Sequence, residues 1–202
     1  MRVLIEDSRR AASSYAVAAV FSDKPGVAGL ATAAALGVPA RALDAGKIAD
    51  RAVYDELLAD AIAQYSPALV VLAGFMRILS PAFVRRFEGR ILNIHPALLP
   101  RYPGLHTHRR VLAAGEREHG VTVHYVTAEL DGGPRILQAA LAIEPEDDES
   151  RLAARVQALE HQVYPVAVRW HCEGRLRYEA GAAWLDSAHL KEPLQLADLN
   201  LT

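Results

Sequence analysis

Arg90-Ile91-Leu92-Asn93-Ile94-His95-Pro96 is the stretch whose reading settles the architecture. A short apolar run of this kind suits a buried strand. Side chains two apart on a strand share a face, so Asn93 and His95 project together while Ile94 points away. Pro96 has no N–H for a central ladder and ends the strand just past His95. In open α/β sheets, ligands bind at the carboxyl ends of the strands. An amide beside an imidazole suits acyl transfer: the amide can donate to a developing oxyanion and the imidazole can move a proton. The same spacing fits two hydrogen-bonded residues at a strand end, and spacing alone does not choose between these readings.

Outward from this strand the pattern alternates β and α, which points to a mostly parallel sheet flanked by helices. Leu69–Ala73 (LVVLA) is a continuous apolar run, as expected for a strand covered on both sides. Tyr15–Phe21 reads as another buried strand and Val38–Leu43 as a short one. Val121–Thr127 and Ile136–Ile143 complete the strand set. Gly26–Leu36 is Ala-rich and helical, with Gly37 closing it. Asp50–Tyr65 carries Val53, Leu57, Leu58, Ala61 and Ile62 at helical spacing. Ser80-Pro81 reads as an N-cap followed by a first-turn proline, opening a short helix to Phe87. The acidic run Glu146–Glu149 suits the start of a long helix through Trp170, in which Pro165 removes one backbone bond. Arg175–Leu185 reads as a hairpin, and 194–202 as a frayed tail. At the other end, Met1, Leu4, Ile5, Ala11 and Ala12 share a helical face, so the chain opens in a helix. The 202 residues are read as one domain.

Charge and composition exclude several classes. Twenty-two basic against 24 acidic side chains give a net charge of -2, so nucleic acid is not the expected partner. One cysteine, Cys172, excludes an internal disulfide and points to a reducing, cytoplasmic setting. The longest apolar run, Ala68–Leu79, contains Arg77 and is too short to span a bilayer. Glu6 and Asp7 interrupt any signal-peptide core.

Further polar residues invite chemistry, each with a plain alternative. Asp131, in Glu129-Leu-Asp-Gly-Gly-Pro134, can orient an imidazole, but Asp-Gly is also a common turn. His106, His108 and His124 raise a metal reading, yet no third ligand has zinc spacing and no metal is expected. His119, His161, His171 and His189 follow no pattern, and surface or helix positions are their default. Gly74–Leu79 follows a buried strand and suits either an apolar slot for a flat ligand or simple core plus loop. Glu160 flanks the apolar stripe of the long helix and could face a cavity, although an exposed glutamate is commoner.

Four motifs in order then carry a resemblance. Val71-Leu-Ala-Gly-Phe-Met-Arg-Ile-Leu-Ser-Pro81, Leu92-Asn-Ile-His-Pro-Ala-Leu-Leu-Pro100, Tyr102-Pro-Gly-Leu-His-Thr-His108 and Glu129-Leu-Asp-Gly-Gly-Pro134 resemble the phosphoribosylglycinamide formyltransferase family. Ala183-Trp-Leu-Asp186 extends the likeness toward the end of the chain. The resemblance implies a Rossmann-like formyltransferase fold, with 1–90 as a nucleotide-binding half truncated at its start and 91–202 as the catalytic and folate-binding half. It also implies formyl transfer from 10-formyltetrahydrofolate to glycinamide ribonucleotide, without a metal. Asn93, His95 and Asp131 would be the catalytic trio, with Asn93 on the oxyanion, His95 on the proton and Asp131 holding His95. The folate would lie against Met76, Arg77, Ile78 and Leu79, beside Asn93 and Asp131, with Arg51 near its glutamate tail. Gly74, Pro96 and Glu160 would line the acceptor pocket, and His106, His108 and His124 would support the site. A monomer or weak homodimer is expected. Related formyltransferases and deformylases share Asn-x-His…Asp, but Pro96 and the Tyr102–His108 segment favour the ribonucleotide enzyme.

The family opens with a strand and a Gly-rich phosphate loop that this sequence does not contain, and Met1 aligns just after that loop. The missing strand is expected to leave two neighbouring strands without a common partner. Two readings follow. One is an active transformylase whose start lies upstream, and the other is a truncated folate-binding or interaction protein.

Overall fold

A computed structural model describes residues 1–199. Its centre is a five-stranded sheet in the order β10-β6-β5-β4-β3. The strand quoted above is β4 (Ile91–His95), flanked by β3 (Val70–Leu72) in parallel and β5 (Glu118–Tyr125) in antiparallel register. β6 (Arg135–Ala142) runs against β5, and β10 (Leu194–Gln195) lies parallel to β6 on the outer edge. The tail through Leu199 is therefore ordered, not frayed: β10 finds free ladder groups on β6, a pairing invisible to local sequence. Residues 200–202 lie outside the described residues.

β1 (Val20–Ser22) pairs in parallel with β2 (Ala40–Ala42) as a separate two-stranded sheet. β1 and β3 do not pair with each other among the described residues. The anticipated strand from Tyr15 shrinks to its last residues: 15–19 carry no ladder, because only the segment opposite Ala40–Ala42 finds partners. β7 (Leu176–Glu179) and β8 (Ala182–Leu185) form the expected hairpin, to which β9 (Ala188–His189) adds a third strand.

The helices start where their caps say they should. Asp50 accepts from Ala52 N and Val53 N at the head of α3 (Arg51–Ala63). Ser80 accepts from Phe83 N ahead of Pro81 in α4 (Pro81–Arg86). Asp148 accepts from Arg151 N at the head of α6 (Glu149–Cys172), which continues through Pro165. α1 (Arg2–Asp7) and α2 (Ala28–Ala35) are shorter than their patterns suggest. One helix, α5 (Thr107–Ala113), had no sequence signal: it follows His106, a left-handed residue whose side chain caps nothing.

The long helix α6 organises the core. Leu152, Val156, Val163, Ala167 and Trp170 pack on Val121, Val123, Ile136 and Leu137 of β5 and β6. A second cluster joins Tyr54 and Leu58 of α3 to Phe83, Phe87 and Ile91. Arg169 of α6 pairs with buried Asp7 of α1 at 2.7 Å, and Tyr15 donates to the same carboxylate at 3.0 Å. The hydroxyl of Tyr164 lies 2.7 Å from Leu72 O and 2.9 Å from Leu92 O, sharing its hydrogen between the ends of β3 and β4. Tyr164→Phe leaves these buried carbonyls short of a donor, so urea unfolding is expected to show a loss of about 1–2 kcal/mol. Unchanged stability would mean that the hydroxyl does not tie α6 to the sheet.

Candidate active site

The site lies at the carboxyl end of β4. Antiparallel register sets Asn93 opposite His124 and His95 opposite Thr122, so all four side chains share one face. Thr122 Oγ1 donates to Ala97 O at 2.7 Å and accepts from Leu99 N at 3.0 Å. It thereby fixes the chain just beyond His95. Gln138 of β6 donates to Leu99 O at 2.8 Å and to Thr122 Oγ1 at 2.9 Å. The loop is thus held by backbone groups whose partners lie on two strands.

The histidines acquire defined tautomers from their carbonyl partners, because a carbonyl can only accept. His124 Nδ1 donates to Tyr125 O at 2.8 Å, which leaves Nε2 bare. Asn93 Nδ2 donates to that Nε2 at 3.2 Å, orienting the amide and leaving its second N–H free. Burial pushes the His124 imidazole below its usual pKa, against an opposing pull from Asp131, and so keeps it neutral for this acceptor role. His95 Nε2 donates to Tyr102 O at 2.9 Å, so Nδ1 is its remaining nitrogen. That nitrogen lies 3.5 Å from Asp131 Oδ2, the two side chains being 6% and 9% exposed.

Asp131 arrives from the 129–134 loop with φ +51, a left-handed conformation that aspartate tolerates. Gly104 N donates to its Oδ2 at 2.8 Å, and His124 Nε2 lies 3.8 Å from Oδ1. A Cβ on Gly133 would sit 1.9 Å from Tyr125 O, whereas one on Gly132 would meet only the Glu129 side chain. The loop can approach β5 this closely only with glycine at 133.

The expected site residues divide into three groups. Asn93, His95, Asp131 and His124 come together. Gly74 and Glu160 line one cavity of about 230 Å³ with Ile94, Gln157, His161 and Tyr164; Pro96 does not line it. Burial raises the Glu160 carboxyl above its usual pKa. In the 74–79 segment Met76 is 72% and Ile78 54% exposed, which leaves apolar surface open to a flat ligand. Leu79 is buried against Phe83 and Phe87, so its side chain belongs to the core rather than to a slot. Arg77 stacks on the Tyr54 ring at 4.5 Å, and Arg51 donates to Ile78 O. Both arginines therefore hold the segment from behind.

His106 is exposed and takes no part in these bonds. His108 Nδ1 lies 3.0 Å from Nε2 of His119, which is 1% exposed within β5. His119 is therefore neither a surface nor a helix residue. Its pairing depends on α5, the helix without a sequence signal. Gln157 was also missed, although it sits one turn before Glu160 on the same helix face. Among the described residues no group of three or more His, Cys, Asp or Glu side chains is placed to hold a metal ion. A second depression of about 290 Å³, lined by Gly133, Arg135, His189 and Lys191, shares the 129–134 loop, but none of the trio lines it.

A sheet of this topology with an amide, an imidazole and a carboxylate at its carboxyl edge defines a formyl-transfer scaffold, and the chain belongs to the Formyl transferase family, which residues 1–168 match. More narrowly, it is similar to phosphoribosylglycinamide formyltransferase of Escherichia coli K12, 51% identical over 90% of this chain and 86% of that one. The Haemophilus influenzae protein of the same name is 42% identical over 86% and 82% of the two chains. The solved phosphoribosylglycinamide formyltransferase of Coxiella burnetii superposes with TM-score 0.89 at 42% identity, over 96% of this chain and 92% of that one.

Two tests follow from this geometry. Gly133→Ala is expected to displace the Asp131 loop and lower kcat at least about tenfold, a modest loss for misplaced catalytic groups. Gly132→Ala, which meets only a movable side chain, should stay near wild type; equal effects would contradict the close-approach argument. The second test concerns acid. Burial and the neighbouring His108 lower His119 to about 4 from 6.5. The unfolded chain therefore binds more protons between those values. Stability is fully present above about pH 6.5 and falls as the pH drops toward about 4, by up to about 3 kcal/mol from this group. Thermal unfolding across that range should show the decline, and His119→Asn should flatten it.

Proposed function

We propose that this chain transfers a formyl group from 10-formyltetrahydrofolate to the amino group of glycinamide ribonucleotide, a step of purine synthesis. The observation that carries this reading is the convergence of the Asn93 amide, His95 Nδ1 and the Asp131 carboxylate at one strand end. The neutral amine attacks the formyl carbon, and a C–N bond forms as the carbonyl oxygen gains charge. Asn93 donates its second N–H to that oxyanion. His95 Nδ1 takes the amine proton, and the imidazolium so formed lies against Asp131. The tetrahedral centre collapses, the bond from carbon to folate N10 breaks, and the proton returns to N10.

Assignment of the two substrates follows the surfaces. The exposed Met76 and Ile78 suit the flat folate ring, with Arg51 and Arg77 shaping that segment. The cavity with Gly74, Gln157 and Glu160 suits the polar acceptor. His124 supports the reaction through Asn93, and His108 through its pairing with His119. In this reading 1–90 is the nucleotide-binding half and 91–202 the catalytic and folate-binding half of one functional unit. The protein works in the cytoplasm as a monomer or weak homodimer, without nucleic acid.

The test is formyl transfer by the purified protein, with tetrahydrofolate release followed spectroscopically. Asn93→Ala should lower kcat about 10²–10³-fold, as for other single oxyanion donors. His95→Ala should lower it about 10²–10⁴-fold, as for other positioned proton carriers. Wild-type kcat in either variant would remove that residue from the mechanism, and absence of transfer by the unaltered protein would sink the assignment.

A further inference from the structure

His95 has two ring nitrogens, and the reaction needs one particular nitrogen bare. What selects it lies outside the trio. Tyr102 offers its carbonyl to His95 Nε2 at 2.9 Å, from a backbone held at φ +56. A left-handed tyrosine is uncommon and persists only where its surroundings hold it. Here the surroundings are visible. The Tyr102 hydroxyl donates to Glu116 Oε1 at 2.6 Å. The guanidinium groups of Arg101 and Arg110 lie 5.6 and 5.4 Å from the Tyr102 ring centroid. Arg101 also pairs with Glu116, and Arg110 donates to Pro103 O at 2.6 Å. The same turn sends Gly104 N to Asp131 Oδ2 at 2.8 Å. One loop therefore holds both halves of the His95–Asp131 pair, and Glu116 tethers it through Tyr102 as well as through Arg101.

We propose that Tyr102, tethered by Glu116, is a positioning residue that locks His95 as the Nε2–H tautomer and so leaves Nδ1 as the proton-exchanging nitrogen. The proposal rests on the reading of His95 as the proton carrier. Neither residue touches the reacting atoms. Glu116 acts through Tyr102, and Tyr102 acts through His95. Were the carbonyl to drift, Nε2 would lose its acceptor, and Nδ1–H against Asp131 would become the preferred neutral tautomer. That form has no bare nitrogen beside the carboxylate and cannot accept the amine proton there.

Tyr102→Phe removes the hydroxyl's hold on Glu116 while keeping the ring near both arginines and the Arg101–Glu116 pair in place. It is expected to lower kcat roughly tenfold with KM nearly unchanged, a fraction of the about 10²–10⁴-fold that positioned proton transfer contributes. The ring ¹⁵N resonances of His95 should move from a single Nε2–H form toward a mixture. Glu116→Gln keeps an acceptor for the hydroxyl and should restore most of the kcat that Glu116→Ala loses. A thermal melt accompanies each variant, so a folded Tyr102→Phe protein with wild-type kcat and an unchanged His95 tautomer overturns the proposal. If the unaltered protein transfers no formyl group, yet Tyr102→Phe still frees the tautomer, the assigned reaction fails while the lock stands.

Discussion

Antiparallel pairing of β5 on β4 is the constraint on which the rest of this structure depends. It is a matter of register. With Asn93 opposite His124 and His95 opposite Thr122, one face of two adjacent strands gathers these four polar side chains. His124 turns the Asn93 amide, and Thr122 fixes the chain beyond His95. A slip of β5 by one residue would turn its side chains to the other face and part His124 from Asn93. The close approach of Gly133 to Tyr125 then brings Asp131 to the same edge.

Burial gives these polar groups their roles. His119 and His124 are kept neutral by desolvation, so each can accept a hydrogen bond where a protonated ring could only donate. Each buried imidazole is satisfied by a specific partner: a carbonyl for Nδ1 of His124 and for Nε2 of His95, and a second ring for His119. An unpaired buried polar group carries a penalty of about 1–3 kcal/mol, which favours this one arrangement over its alternatives. Preorganisation of the site and uniqueness of the fold therefore come from the same bonds.

The long helix α6 ties this edge to the remaining layers. Its apolar stripe covers β5 and β6, while Tyr164 closes the ends of β3 and β4 and Arg169 holds α1. Gln157 and Glu160 stand one turn apart on that helix and line the cavity of about 230 Å³ together with Tyr164. Core packing and the cavity wall thus share one element. A change in how α6 sits would alter both.

The sequence by itself determined the alternation of strands and helices, the helix starts at Asp50, Ser80 and Asp148, and the shared face of Asn93 and His95. These follow from local periodicity and from side chains that cap their own helix. Its four motifs also pointed to the family. Tertiary structure alone decided which strands found partners: β10 gained a neighbour on β6, while residues 15–19 found none. It placed His119 and Leu79 in the core, set Arg51 on the Ile78 carbonyl and laid Arg77 over the Tyr54 ring. It also selected the ring nitrogen of His95 through a carbonyl seven residues on. Ladder partners, burial and tautomers depend on groups contributed by distant segments, and no local pattern encodes which of them will meet.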